Sequence, residues 1–395
     1  MVDSHGHPRK VHAPILIAAA MVLLLLLGAA PAFAAHLTPT EQLGKALFFD
    51  TNLSSPVGQS CATCHGPAVG WTGPERSVNR AGAVYPGAVP TRFGNRKPPS
   101  AAYGGDSPIL HFDAAAGWVG GMFWDGRATG QTLGDPLAEQ AMGPFLNPLE
   151  MNVASAADLV AMVRASAYAG LFRTVWGPGI WNDVDAAYVA IGRSIAAFER
   201  SSEVSTFTSK YDAYLKGEAD FTGGESQGMA LFMGKAKCSQ CHVPPNFTDF
   251  TYDNLGVPRN PLNPFYREPD WNPLGRSWVD TGLGGYLKAA GYSAAVYDAA
   301  WGKQKVPTLR NVALAPRPYF FAKAYTHNGY FKSLWQIVHF YNTRDVGFWP
   351  SPEVAANVNT SEMGDLHLTH AEELQIVAFM ETLSDGYRSS PLPCH

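Results

Sequence analysis

Charge is scarce in this chain of 395 residues: Asp, Glu, Lys and Arg together make up 16% of it, and the formal net charge is −4. No basic run or stripe of the kind that neutralises phosphates is present, which argues against nucleic acid as a partner. Cysteine is scarcer still, with five residues. Four of them stand as two close pairs, each with a histidine directly behind, which is not the pattern of a disulfide framework. Beyond the first thirty or so residues no stretch is apolar for long enough to cross a bilayer, so the remainder is not expected to be an integral membrane protein. Histidine is missing altogether between Gly66 and Leu110.

What is present begins with an export pattern. Arg9 and Lys10 precede an apolar run from Ala13 to Ala30 that contains Leu23 to Leu27, followed by Pro31 and the small-x-small site Ala32-Phe33-Ala34. This predicts a signal peptide over 1–34, cleaved before Ala35, and a periplasmic product. An uncleaved anchor is the alternative, but the core of the run is short for a full span. The remaining length, about 360 residues, suffices for two domains of ordinary size.

The two cysteine pairs read Cys61-Ala62-Thr63-Cys64-His65 and Cys238-Ser239-Gln240-Cys241-His242. Two thiols one tight turn apart add across the vinyl groups of a haem while the adjacent imidazole reaches the iron. A redox dithiol or a zinc site would not require a histidine after both pairs. Each motif also has the same lead-in, Gly-x-x-Leu-Phe, at Gly44 to Phe48 and at Gly228 to Phe232. This internal repeat predicts a mainly α fold with two c-type cytochrome domains. Each would wrap around one covalently bound haem, with long irregular loops over 70–106 and 243–285. The domains would span 35–210 and 211–395, with the boundary inside 201–224. Asn182 or Asp183 is expected to cap a helix burying Tyr188, Ile191, Ile195 and Phe198. A Thr369/Glu372 capping box should start another, burying Leu374, Val377, Ala378 and Met380. Cys394 is left over beside the C-terminus, a bystander or a link to another chain.

Trp124-Asp125-Gly126-Arg127-Ala128, then Gln140, then Gly143 to Met151 resemble the active-site region of the bacterial dihaem cytochrome c peroxidases and their MauG and MbnH relatives. So do Phe247-Thr248-Asp249, Asn254 to Pro258, Val306 to Asn311 and His327-Asn328-Gly329. The resemblance implies that the haem on His65 reacts with hydrogen peroxide and that Gln140, Pro144 and Glu150 line its distal pocket. There Glu150 would move the proton that splitting peroxide requires, and Gln140 would orient the bound oxygen. Trp124 would carry charge between the haems, and Arg127 would pair with haem propionates. Read without the resemblance, Glu150 and Gln140 are ordinary surface groups and Trp124 a core aromatic.

Two departures divide that family. Many of its peroxidases block the first haem with a histidine from the loop after the motif, and the gap from Gly66 to Leu110 leaves no such residue here. At the second haem the peroxidases carry a methionine where the matching stretch, Ile337 to Asn342, places Tyr341. A phenolate would lower the potential and favour oxidised iron. A core tyrosine with His339 on the iron is the alternative. Both departures, with Asn342 to Asp345 and Ala324 to Thr326, resemble MbnH more than a typical peroxidase. The link from Trp124 to Gln140 is longer than the peroxidases have. A calcium ion between the haems is a further feature of the family, but Lys97 stands where an asparagine is usual. That leaves Asn95 as the substitute and the ion open.

The expected function is therefore that of a periplasmic dihaem oxidoreductase of the MauG and MbnH type. Peroxide would generate a bis-ferryl state, and the oxidised target would be a residue, by resemblance a tryptophan, on a partner protein. The alternative is a cytochrome c peroxidase that reduces peroxide to water with electrons from a small cytochrome or copper protein. A non-catalytic carrier would need a strong ligand opposite His65, and none is in view.

Overall fold

The computed structural model describes residues 36–316 and 321–388. The expected signal peptide and Cys394 lie outside them. The described chain is mainly helical, with two short antiparallel ribbons: His111–Asp113 against Gly117–Val119, and Tyr252–Asp253 against Gln304–Lys305.

Two helix crossings organise it, and both follow from the repeated glycine. The helix Pro39–Phe49 opens on a Thr38/Glu41 capping box and the helix Gly223–Met233 on a Thr222/Glu225 box, which close two of the backbone donors left open at each start. Six residues into each repeat comes the glycine. A Cβ on Gly44 would lie 1.8 Å from the backbone oxygen of Ser194, and one on Gly228 would lie 1.9 Å from that of Gln375. Only hydrogen fits, so each helix presses directly on a second one, Val184–Arg200 in the first case and His370–Glu381 in the other. The phenylalanine four residues on then meets its counterpart. Phe48 packs edge-on against Phe198 at 5.5 Å and Phe232 against Phe379 at 5.2 Å. All four rings are fully buried, each stabilising by about 2 kcal/mol through burial alone.

Each crossing anchors an apolar cluster. One contains Leu43, Leu47, Trp71, Phe145 and Ile191 and ends at Val204; the other begins at Tyr211 and runs through Phe247 and Ile376 to Leu383. Buried ion pairs tie the chain together between them. Arg96 donates to both oxygens of Asp280, at 2.6 and 2.7 Å, and to Asp125 at 2.6 Å. Those guanidinium contacts hold the Asp280 carboxyl well below the usual range in spite of its burial.

Asp183 caps the helix Val184–Arg200, whose buried face includes Ile191, Ile195 and Phe198, with Tyr188 half-buried beside it. The helix His370–Glu381 does start on its Thr369/Glu372 box, but it is rotated from the expected face. Leu374 is 48% exposed, while Glu373, Ile376, Phe379 and Met380 are buried. The reason is polar: Glu373 turns inward to accept hydrogen bonds from the helix Leu334–Thr343, an attraction that apolar periodicity does not register. The long link between Trp124 and Gln140 is closed by Glu139, whose carboxylate accepts from the backbone of Gly130, Thr132 and Leu133 at 2.6–2.9 Å.

Candidate haem sites and the space between them

Cys61 and Cys64 lie on one helical turn, and the His65 amide donates to the Cys61 carbonyl at 2.9 Å. The tight loop that follows returns the carbonyl of Trp71 to 3.2 Å from His65 Nδ1. Burial lowers the imidazole to about 4, so it is neutral, with Nδ1 held by that carbonyl. With Nδ1 engaged by that carbonyl, Nε2 is the nitrogen left to reach a metal. Burial, with Glu150 adding to it, pushes the Cys64 thiol up to about 12.

Glu150 thus lies within electrostatic reach of both thiols of the first motif. It follows the helix Pro136–Leu146, which carries Gln140 and Pro144 one turn apart. The Pro144 carbonyl accepts from Met151, folding the chain back behind the helix end, and the Glu150 carbonyl accepts from Ala88. Burial raises the Glu150 carboxyl above its ordinary value, opposed by Arg127 and by the Asn147 amide, which donates to it at 3.0 Å. A half-buried carboxyl poised in this way can both give and take a proton. The Gln140 amide has no hydrogen-bond partner among the described residues. Arg127 is committed to Asp125, at 3.0 Å, and stacks over Phe123 at 3.8 Å.

At the second motif the same arrangement recurs. His242 N donates to Cys238 O at 2.9 Å, and Nδ1 lies 2.9 Å from the Phe247 carbonyl. Cys238, Cys241 and His242 line a large, mostly apolar cavity, and across it stand Leu334, Ile337, Val338 and Tyr341 from the helix Leu334–Thr343. Burial and the nearby motif thiols push the Tyr341 phenol far above its ordinary value. Its hydroxyl makes no hydrogen bond among the described residues. His339 is turned away from the cavity, bonding Glu373 at 2.9 Å and stacking on Trp335.

Trp124, buried, also lines this cavity. Its indole N–H donates to the Lys97 carbonyl at 2.8 Å, the Lys97 amide donates to the His327 carbonyl at 2.8 Å, and the rings of Trp124 and His327 meet edge-on at 6.3 Å. Lys97 Nζ donates to Thr72 Oγ1 and to Pro98 O at 2.7 and 2.8 Å. Burial lowers that amine to about 7.

A family model for di-haem cytochrome c peroxidase matches residues 38–220. Over 373 residues the chain is 36% identical to the methylamine utilization protein MauG of Paracoccus denitrificans, covering 89% of each. The chain belongs to the dihaem cytochrome c peroxidase and MauG family. Among solved structures it is similar to the diheme peroxidase BthA of Burkholderia thailandensis, with TM-score 0.74 and 30% identity over 89% of this chain and 87% of that one. It is also similar to a MauG-like protein associated with microbial copper homeostasis, with TM-score 0.63 and 25% identity over 90% and 92%. Like its relatives, it is a haem peroxidase-type oxidoreductase of a two-haem family.

The residues of this chain fit such groups. The cavity beside the second motif is apolar over most of its lining but polar along one side. There Gln304 is buried with neither amide atom bonded. Lys305 and Lys323 also line it, and their side-chain amines donate to backbone carbonyls at 2.8–3.2 Å. Burial lowers both amines, Lys305 to about 7 and Lys323 well below its ordinary value. Such donors and an idle amide on the rim of an apolar slot suit a flat apolar ligand with an anionic edge, whose charge would favour their protonation again. Nothing in the sequence distinguished these lysines from solvated loop residues. Calcium does not fit at Lys97, whose ammonium already uses the local oxygens, and Asn95 offers only its own amide. Among the described residues the only cluster of three His, Cys, Asp or Glu ligand atoms is Cys241, Asp253 and Glu362, beside the second motif.

Proposed function

We propose that this protein uses hydrogen peroxide to oxidise a side chain, by family likeness a tryptophan, on a partner protein in the periplasm, after removal of residues 1–34. The two haems would be covalently held, one by Cys61, Cys64 and His65 and the other by Cys238, Cys241 and His242, each within its own cytochrome c domain, 35–210 and 211–395. Bound haem iron supplies the redox chemistry by taking up the oxidising equivalents of peroxide. Glu150 moves a proton from the near to the far oxygen of peroxide, and its raised carboxyl pKa suits that shuttle. Gln140 supplies an idle amide to orient the oxygen, while Pro144 shapes the wall. Arg127 offsets negative charge at the pocket rim, and only its Nη1 is taken by Asp125, which leaves Nε and Nη2 to a propionate. Trp124 lies on the path by which two oxidising equivalents are shared.

The observation that carries this reading over its rival is Tyr341, which lines the same cavity as Cys238, Cys241 and His242 and lies within electrostatic reach of both thiols. A hard anionic ligand there favours holding oxidising equivalents over accepting electrons from a small donor. The absence of a histidine from Gly66 to Leu110 supports the same reading, since the first site then needs no reductive opening. The rival is a peroxidase drawing electrons from a small cytochrome or copper protein. The family likeness supports it equally.

Electron paramagnetic resonance of the ferric protein should show one high-spin and one low-spin haem, and two low-spin signals would overturn the ligand assignment. Tyr341→Phe should change the low-spin signal with both haems still attached; unchanged spectra would make Tyr341 a core residue. Peroxide added to the fully ferric protein should alter both haem spectra without prior reduction, and the partner should gain a covalent mass change on a tryptophan. A requirement for the half-reduced form, with rapid turnover of reduced cytochrome c, would favour the rival.

A further inference from the structure

The helix Leu334–Thr343 has two chemical faces. One, with Leu334, Ile337, Val338 and Tyr341, lines the second cavity. The other carries Trp335, His339 and Asn342, and all three donate to one buried carboxylate. Glu373, 2% exposed, accepts from Trp335 Nε1 at 2.9 Å, from His339 Nδ1 at 2.9 Å and from Asn342 Nδ2 at 2.7 Å. Burial alone would raise the Glu373 carboxyl, but these donors hold it below the ordinary range, so it is a fixed negative charge.

Trp335 is 36% exposed and stacks on His339, with ring centres 5.1 Å apart and planes 18° from parallel. Among the described residues it is the only tryptophan whose N–H donates to a carboxylate. A fixed anion on the indole N–H stabilises the oxidised ring more than the neutral one, because the charge that appears on oxidation is positive. From His339 the aromatic contacts continue inward. Trp349 lies 6.0 Å away, Phe340 is 5.1 Å from Trp349, and Tyr341 is 6.4 Å from Phe340. Each step of this series is an aromatic contact of 6.4 Å or less between ring centres.

We propose that Trp335 is the surface station at which electrons from an oxidisable side chain of a protein partner enter, passing by Trp349 toward the pocket of Tyr341. This rests on the function proposed above and assigns its point of exchange. The balance closes. Peroxide takes up two electrons and two protons to become two waters. The partner gives up two electrons, one at a time through Trp335, and releases two protons to solvent. After each transfer Trp335 is returned to its reduced form, its indole proton kept within the hydrogen bond to Glu373. Trp335 touches the reacting partner, whereas Glu373 and His339 position and tune it.

The test uses the ferric holoprotein treated with peroxide in the presence of the spin trap 2-methyl-2-nitrosopropane, followed by peptide mass mapping. A trap adduct is expected on Trp335 and none on Trp271, which is 41% exposed but has no carboxylate on its N–H. Trp335→Phe should abolish the adduct on that peptide, Trp335→Tyr should restore one, and Glu373→Gln should lower the yield while the haem spectra stay those of the parent. Trp271→Phe should leave the pattern unchanged. Altered haem spectra with no adduct at Trp335, or an equal yield in Glu373→Gln, would overturn this inference alone. Haem spectra unmoved by peroxide would overturn the proposed function and this inference with it.

Discussion

Gly228 lies so close to Gln375 that a Cβ would come within 1.9 Å of the Gln375 backbone oxygen. That oxygen belongs to a helix backbone and cannot swing aside, so an added methyl must force the two helices apart. Gly228→Ala should therefore destabilise the holoprotein by about 3 kcal/mol, the upper end for overpacking a close contact. Gly224, on the same helix with nothing within 4 Å of its added Cβ, is the control. Gly224→Ala should be neutral or slightly stabilising, because alanine is the better helix former. Denaturant unfolding of both variants, with haem content checked by absorbance, decides the matter; equal stabilities would mean that the crossing is not rigid.

This contact also shows what the sequence made legible. The Gly-x-x-Leu-Phe repeat announced two equivalent crossings, and the structure extends it backwards to Thr38/Glu41 and Thr222/Glu225, a further match that lies in the sequence itself. Turn-to-turn chemistry of this kind is local and therefore readable. The inward rotation of Glu373 was not, because it depends on donors some thirty residues earlier, on another helix. Nor were the buried lysines. Lys97 and Lys323 sit in irregular segments and Lys305 in a strand of only two residues, none long enough to show a period, and only the closed fold puts them on a cavity wall. The motif histidines, by contrast, were evident from spacing alone, since Cys-x-x-Cys-His fixes the ligand next to the thiols.

Glu150 is the group whose removal should be felt in the chemistry with least effect on the fold. Its carboxyl keeps a single side-chain hydrogen bond, from Asn147 at 3.0 Å, which an amide oxygen can still accept. Glu150→Gln should thus preserve the pocket shape and the binding of small ligands such as cyanide. The reaction with peroxide should slow by about two to four powers of ten, the usual contribution of a positioned proton shuttle. Stopped-flow mixing of ferric protein with peroxide measures it. Unimpaired kinetics would exclude Glu150 as the shuttle.

Glu199 offers a test of buried electrostatics beside the first motif, where its charge also acts on the Cys61 thiol. It is 5% exposed near the end of the helix Val184–Arg200, and one of its carboxyl oxygens has no hydrogen-bond partner. Burial raises its pKa from 4.5 to about 8, with Arg200 opposing and Asp135 adding to the rise. A carboxyl raised on folding binds more protons in the native state than in the unfolded one across that interval. Its contribution to stability is therefore fully present below 4.5 and is lost as the pH climbs through about 8. The slope within the interval should approach 1.4 kcal/mol per pH unit, about the value for one proton. Glu199→Gln is neutral at every pH and keeps the shape, so it should remove this component and be the more stable protein at pH 8. Thermal unfolding of parent and variant between pH 5 and 8 is the measurement. Parallel stability curves would show that Glu199 ionises in the folded protein as easily as in the unfolded chain, and that water or an ion reaches its open oxygen.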